Sequence, residues 1–136
     1  MANSQLQKIG INSFFGSMIE IFTIPSHVTE IGEYAFYCCY HFTSLHFSTN
    51  CELKVIEKEA FSSSLIESIE IPSSVAQIGE KAFASCKKLK KFSFSNESKI
   101  ESINNGLFCE AAIELILIPS SVKHICKKAF YYCEKL

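Results

Sequence analysis

Seven cysteines, four histidines and two Ser-Ser pairs are the residues of this chain that could carry chemistry, and their spacing decides against it. A zinc site needs paired ligands with a second pair behind them. Cys38 and Cys39 are adjacent rather than two apart, and His27, His41, His46 and His124 stand beside no second ligand pair. The expectation is no metal. With Cys51, Cys86, Cys109, Cys126 and Cys133 the cysteine count is odd, which argues against a fully paired disulfide framework. A serine nucleophile needs a base placed against it. Ser73-Ser74 and Ser120-Ser121 each follow Ile-Pro, where a hydroxyl is expected to cap the next turn. No glycine-rich phosphate loop is present, so neither an enzyme nor a cofactor is expected. Lys87, Lys88, Lys90 and Lys91, with Lys81 nearby, form one basic cluster. It reads as a solvated rim at a helix end, with an acidic or glycan partner as the sharper alternative. Asn96-Glu97-Ser98 is a glycosylation sequon in an expected loop, relevant only in a eukaryotic secretory route.

Composition narrows the partners further. All 13 basic residues are lysine and all 14 acidic residues are glutamate, giving a net charge of −1. That balance offers no electrostatic reason for nucleic acid or anionic lipid. Absent aspartate argues against Asp-rich calcium loops, and absent arginine against bidentate phosphate clamps. No run approaches the roughly 18 apolar residues of a membrane span. No basic segment followed by an apolar block marks a secretion signal, and the apolar stretch Phe14 to Ile24 is interrupted by Glu20.

The elements that hold these residues repeat with a period of 47. Pro25/Pro72/Pro119, Val28/Val75/Val122, Ile31/Ile78/Ile125, Ala35/Ala82/Ala129, Phe36/Phe83/Phe130 and Cys39/Cys86/Cys133 are copies of single positions. Such self-similarity means a stacked array. Stacked copies of the cysteine lie two rungs, about 10 Å, apart, too far for a disulfide, so they read as small buried apolar residues. Each period holds two halves, because a phenylalanine recurs at Phe14, Phe36, Phe61, Phe83, Phe108 and Phe130. Strands fit apolar-x-x-apolar-x-apolar at Ile19/Phe22/Ile24, Phe42/Leu45/Phe47, Ile66/Ile69/Ile71, Leu89/Phe92/Phe94 and Ile113/Ile116/Ile118. Spacing of 23 or 24 residues between strands demands a parallel sheet with right-handed crossovers. Ile31, Ala35, Phe36 and Cys39 fall at i, i+4, i+5 and i+8, which predicts a short helix between strands. Gly32 and Gly79 open that element, but Cys126 in the third copy suggests that a glycine conformation is not obligatory.

Residues 71–89, Ile-Pro-Ser-Ser-Val-Ala-Gln-Ile-Gly-Glu-Lys-Ala-Phe-Ala-Ser-Cys-Lys-Lys-Leu, closely resemble the leucine-rich repeat of the BspA type. The motif recurs at 24–42 and 118–136, and the resemblance covers the chain from Leu6 onward. It implies an α/β solenoid: a right-handed leucine-rich-repeat array with short parallel strands on one face and short helices or 3₁₀ turns on the other. It also implies a surface protein of bacteria or mucosal protozoan parasites that attaches to host proteins or other cells. The family's motif residues are structural, so no catalytic or ligand residue carries over.

The remaining candidate site is the outward side of the strands. Rung by rung it reads Ile21/Thr23, Ser44/His46, Ser68/Glu70, Lys91/Ser93 and Leu115/Leu117. Inward positions repeat while these vary, and Leu115 beside Leu117 suggests a contact. The expectation is a single solenoid over 1–136 of about six half-repeats and five strands. It would serve as a non-enzymatic protein-binding module of a cell-surface or secreted adhesion or host-interaction protein. A glycan is the other ligand class, and a cytoplasmic interaction scaffold of the same fold is the second reading. Leu136 matches Phe42 and Leu89, the first apolar residue of a further strand, and Met1 to Gln5 is short for a cap. Hence a further expectation: either a fragment of a longer array, or self-association through the C-terminal end.

Overall fold

Apolar residues two apart present both side chains to one side of an extended chain. In the computed structural model, which describes residues 4–136, such pairs build the longer strands. Met1 to Asn3, part of the stretch expected to be too short for a cap, lie outside the described residues. Four strands of four residues, β2 (Ile21–Ile24), β4 (Ser44–Phe47), β6 (Ser68–Ile71) and β8 (Lys91–Phe94), lie on one side of the coil. Two-residue strands β1 (Lys8–Ile9), β3 (Glu30–Ile31), β5 (Val55–Ile56), β7 (Gln77–Ile78), β9 (Ser102–Ile103) and β10 (His124–Ile125) form a second line. Every pairing is parallel, between successive rungs of the solenoid. The fifth expected strand, at 113–118, is reduced to one bridge, Lys91↔Leu115.

The interior is one column of side chains per repeat position. Phe14, Phe36, Phe61, Phe83, Phe108 and Phe130 stack face to face, with centroids 5.0, 5.2, 5.3, 6.3 and 5.4 Å apart in turn. Ile31, Ile56, Ile78 and Ile103 fill a second column, and the alanine before each of Phe36, Phe61, Phe83 and Phe130 is buried. The expected phenylalanine ladder is therefore the core of the solenoid.

The expected helices are absent: no helix or 3₁₀ turn occurs among the described residues. What replaces them is a pair of tight turns per rung. Each rung places two residues, four apart, in the left-handed region: Asn12 and Gly16, Tyr34 and Cys38, Glu59 and Ser63, Lys81 and Ser85, Gly106 and Glu110, Lys128 and Tyr132. A left-handed residue cannot continue an α-helix. The backbone is satisfied across rungs instead. Tyr34, Phe36 and Cys38 N–H donate to the carbonyls of Lys58, Ala60 and Ser62, and Lys81, Phe83 and Ser85 to those of Asn105, Leu107 and Cys109. The pattern i, i+4, i+5, i+8 faces inward here because the turns return the chain to the core, not because it winds.

The glycines have a steric reason. A Cβ on Gly32 would stand 2.8 Å from Gly10 C, and one on Gly79 would stand 2.5 Å from Lys58 N. The constraint is close approach of the preceding rung rather than the glycine's own dihedrals.

Rung length controls the strand ladder. Steps of 23 residues give full four-residue ladders, β2 with β4 and β6 with β8. Steps of 24 residues do not. No ladder joins β4 to β6, although Glu67 N–H still donates to the Thr43 carbonyl at 3.3 Å. Beyond β8 the ladder is reduced to the bridge at Leu115, with the Glu114 N–H donating to the Lys90 carbonyl at 3.3 Å.

Candidate functional site

The outward positions fall in register within each paired set of strands. Ile21 pairs with Ser44 and Thr23 with His46; Ser68 pairs with Lys91 and Glu70 with Ser93; Lys91 bridges to Leu115. Nine are exposed and Ser44 is half-buried, while Leu45, Ile69 and Phe92 beneath them are buried. The alternation follows from the two-residue period of a strand.

This face is not uniform. Where β4 and β6 part, a cleft of about 410 Å³ opens between His46 on one wall and Glu67 and Glu70 on the other. Where β8 parts from 114–117, a second groove of about 560 Å³ is lined by Lys90, Lys91, Phe94, Glu114, Leu115 and Leu117. Leu115 and Leu117 are 69% and 79% exposed. Phe94, Lys90 and Glu114 were not singled out from the sequence as outward residues. The signal for them was the 24-residue step itself, which separates strands that the 23-residue step zips together.

The chemistry-bearing residues are dispersed. All seven cysteines are free. Cys39, Cys86 and Cys133 are more than small apolar fillers. Each thiol donates to the carbonyl of the column phenylalanine 25 residues earlier: Phe14 at 2.9 Å, Phe61 at 3.3 Å and Phe108 at 2.9 Å. Burial pushes the Cys39 and Cys133 thiols up, and the Cys86 thiol from 9.0 to about 11, away from thiolate reactivity. No group of three or more His, Cys or Glu side chains lies close enough to hold a metal among the described residues. The histidine with a charged neighbour is His27, whose Nδ1 is 3.4 Å from Glu52 Oε1 on an exposed edge.

The Ser-Ser turns are closed by backbone, not by hydroxyl caps. Val75 N–H donates to the Pro72 carbonyl and Val122 N–H to the Pro119 carbonyl, both at 3.1 Å. Ser121 Oγ instead donates back to the Ile100 carbonyl at 2.6 Å. In the basic cluster, Lys87 is paired with Glu110 at 3.1 Å across rungs. Lys88, Lys90 and Lys91 are exposed and make no ion pair among the described residues. Asn96 is exposed, beside Glu97 in the left-handed region, so the sequon sits in a solvated turn. The turn side carries aromatic groups the sequence reading passed over: Tyr37 lies 5.1 Å from Phe15 and 5.5 Å from Tyr34, and Tyr131 lies 4.3 Å from Tyr132. No helix here is long and apolar enough to cross a membrane, among the described residues.

Residues 4–136 match the model of the BspA type leucine rich repeat region, in six copies. Three solved structures share the fold. The pneumococcal vaccine antigen PcpA superposes with a TM-score of 0.85 at 30% identity, over 93% of this chain and 34% of that one. A leucine-rich repeat protein from Bacteroides ovatus gives a TM-score of 0.70 at 30% identity, over 96% of this chain and 40% of that one. A leucine rich cell surface protein from Faecalibacterium prausnitzii gives 0.70 at 24% identity, over 96% and 41%, a likeness of fold. The chain thus spans about a third to two-fifths of the length of these structures. Among curated proteins none matches it.

Proposed function

Given that the chain belongs to the BspA-type leucine-rich repeat family, whose fold generally serves protein interaction, we propose that it is a non-enzymatic binding module of a cell-surface or secreted adhesion or host-interaction protein. The observation that carries this reading is the sheet face: outward side chains varied in type, nine of the ten exposed, over an interior that repeats. The partner-binding residues are Ile21, Thr23, Ser44, His46, Ser68, Glu70, Lys91, Ser93, Leu115 and Leu117. The partner is a protein, with a glycan as the alternative ligand. Support for the surface location comes from the family and from the 30% identity to a pneumococcal vaccine antigen.

The test has two parts. Tagged full-length protein in its native cell should be cleaved by protease added outside; retention in the cytosol would sink the surface reading. Replacing Glu70, Lys91 and Leu115 together should abolish partner binding with the far-UV spectrum intact. Replacing Glu80 and Lys127 on the turn side should not. The second reading, an intracellular scaffold of the same fold, is favoured by one observation, seven unpaired thiols, which suit a reducing compartment. Self-association through the C-terminal end belongs to the same proposal. Light scattering over a concentration series reads it, and a species that stays monomeric throughout removes it.

A further inference from the structure

The two openings in the sheet face differ in chemistry. The cleft between β4 and β6 is polar, with Glu67 and Glu70 on its β6 wall, His46 facing them, and Lys91 at the margin it shares with the seam. The seam between β8 and 114–117 is apolar on one wall and basic on the other. Leu115 and Leu117 project from it while Ile113 of the same segment is fully buried. Two large aliphatic side chains held side by side in water mark a contact surface. Across the seam, Lys90 and Lys91 make no ion pair among the described residues, whereas Lys8, Lys87 and Lys123 each hold a glutamate on a neighbouring rung. Glu114 is the one carboxylate in the lining.

The seam is held open from below. Phe92 stands edge-on to Phe83 and Phe108, at 5.1 and 4.6 Å, and the stack there widens to 6.3 Å. On the opposite line no ladder joins β7 to β9, and Asn104 Nδ2 donates to the Ile78 carbonyl at 2.6 Å instead. The buried Phe92 and the half-buried Asn104 therefore act as spacers at this junction.

We propose that the seam receives an extended acidic peptide segment carrying a large apolar side chain. The apolar group lies on Leu115 and Leu117, and carboxylates on either side of it reach Lys90 and Lys91. A groove of about 560 Å³ takes one or two side chains of a peptide. From Leu115 and Leu117, the rung that carries Glu67 and Glu70 lies two rungs away, about 10 Å, or about three residues of extended chain. A segment running along the solenoid axis thus meets Glu67 and Glu70 three residues from its apolar group, where a basic residue complements them. The inference rests on the sheet-face reading and deepens it by naming the partner's chemistry.

The probe is a fluorescein-labelled synthetic peptide with a Leu-Phe pair flanked by glutamates and a lysine three residues away. One control reverses every charge; another replaces Leu-Phe by Ser-Ser. Anisotropy titrations of the full chain should saturate with the first peptide and be at least tenfold weaker with either control. The double variants Lys90→Glu/Lys91→Glu and Leu115→Ser/Leu117→Ser should each weaken binding at least tenfold, and Lys127→Glu should leave it unchanged. Amide shifts should centre on residues 90–94 and 114–117. Equal binding of all three peptides, or of none, overturns the proposal. Shifts confined to the β4–β6 cleft overturn the seam while leaving the sheet-face reading standing, and shifts on the turn side around Tyr37 overturn both. Concentration-dependent self-association that Leu115→Ser/Leu117→Ser removes, with no peptide bound, makes the occupant a second copy and also overturns it.

Discussion

The Cys86 thiol donates to the Phe61 carbonyl and lies 3.5 Å from Ser64 Oγ, wholly buried. Burial disfavours the thiolate and moves the group from 9.0 to about 11. The folded state then holds its proton more tightly than the unfolded state. Stability from this group is complete below about pH 9 and is lost as pH rises through about 11. Chemical denaturation at pH 8 and pH 11 should differ by roughly 2–3 kcal/mol more in the native sequence than in Cys86→Ala. An equal pH dependence in both proteins would show that the thiol is not held protonated by the fold. The neighbouring column makes a second residue-scale prediction. Phe83 faces Phe61 at 5.3 Å and takes the edge of Phe92 at 5.1 Å. Phe83→Ala should cost about 3–5 kcal/mol, since the rungs on either side cannot close on the space. Urea midpoints decide it against the exposed Lys88→Ala, expected within about 0.5 kcal/mol of the native sequence. Similar midpoints for the two variants would remove Phe83 from the core.

At the scale of elements, the turn pair differs from the expected helix in what it tolerates. Ser85 sits at φ 54°, and its N–H donates to the Cys109 carbonyl at 2.7 Å. A left-handed position accepts glycine and penalises a β-branched side chain. Ser85→Val should therefore destabilise by about 1–2 kcal/mol and Ser85→Gly should be near neutral. In a helix the order would reverse, because glycine is the poorer helix former by far. Thermal melts of the two variants separate the cases, and a far-UV spectrum with a strong 222 nm helical minimum would contradict the turns. Why the sequence reading erred here is physical. Ile31, Ala35, Phe36 and Cys39 are buried as their spacing demanded. Burial periodicity, however, records which side chains face inward, not how the backbone satisfies its amides. The inter-rung bonds that settle the matter join residues 21 or 24 apart, such as Phe83 to Leu107, and leave no trace in local pattern. The four-residue strands were legible because Pro72, Ile71 and Ile69 define an end and a parity at once, whereas the two-residue strands that hold Ile31, Ile56, Ile78, Ile103 and Ile125 were read as helix. The phenylalanine column was legible because it repeats. The position of Gly79 was legible, but its reason, the approach of Lys58 N, was not.

For the whole molecule, stability is a sum of rungs and of the interfaces between neighbours. Those interfaces are unequal. Ladders join the rungs of β3, β5 and β7, and the phenylalanine spacing there stays at 5.2–5.3 Å. Between the rungs of β7 and β9 both lines of strands come apart, down to the bridge at Leu115, and the stack opens to 6.3 Å. The turn side stays closed through the Lys81, Phe83 and Ser85 amides at 3.0, 3.1 and 2.7 Å, while on the strand side the Ala112 and Glu114 amides reach the Cys86 and Lys90 carbonyls at a longer 3.3 Å. The outward face was readable from strand parity, but not this seam, since a one-residue difference in rung length looks trivial in sequence and decides whether four backbone pairs form. Residues 99–136 should accordingly open as a unit before the rest unfolds. Native-state hydrogen exchange should place the amides of Lys81, Phe83 and Ser85 in one group with those of Gly106, Phe108 and Glu110. Those of Glu59, Phe61 and Ser63 should exchange only with global unfolding. Removing the spacer bond by Asn104→Ala should widen the gap between the groups. Protection that declines smoothly, rung by rung, with no step between Ser63 and Lys81, would mean that the seam is no weaker than its neighbours, and that a partner binding there finds a rigid groove instead of a junction it can adjust.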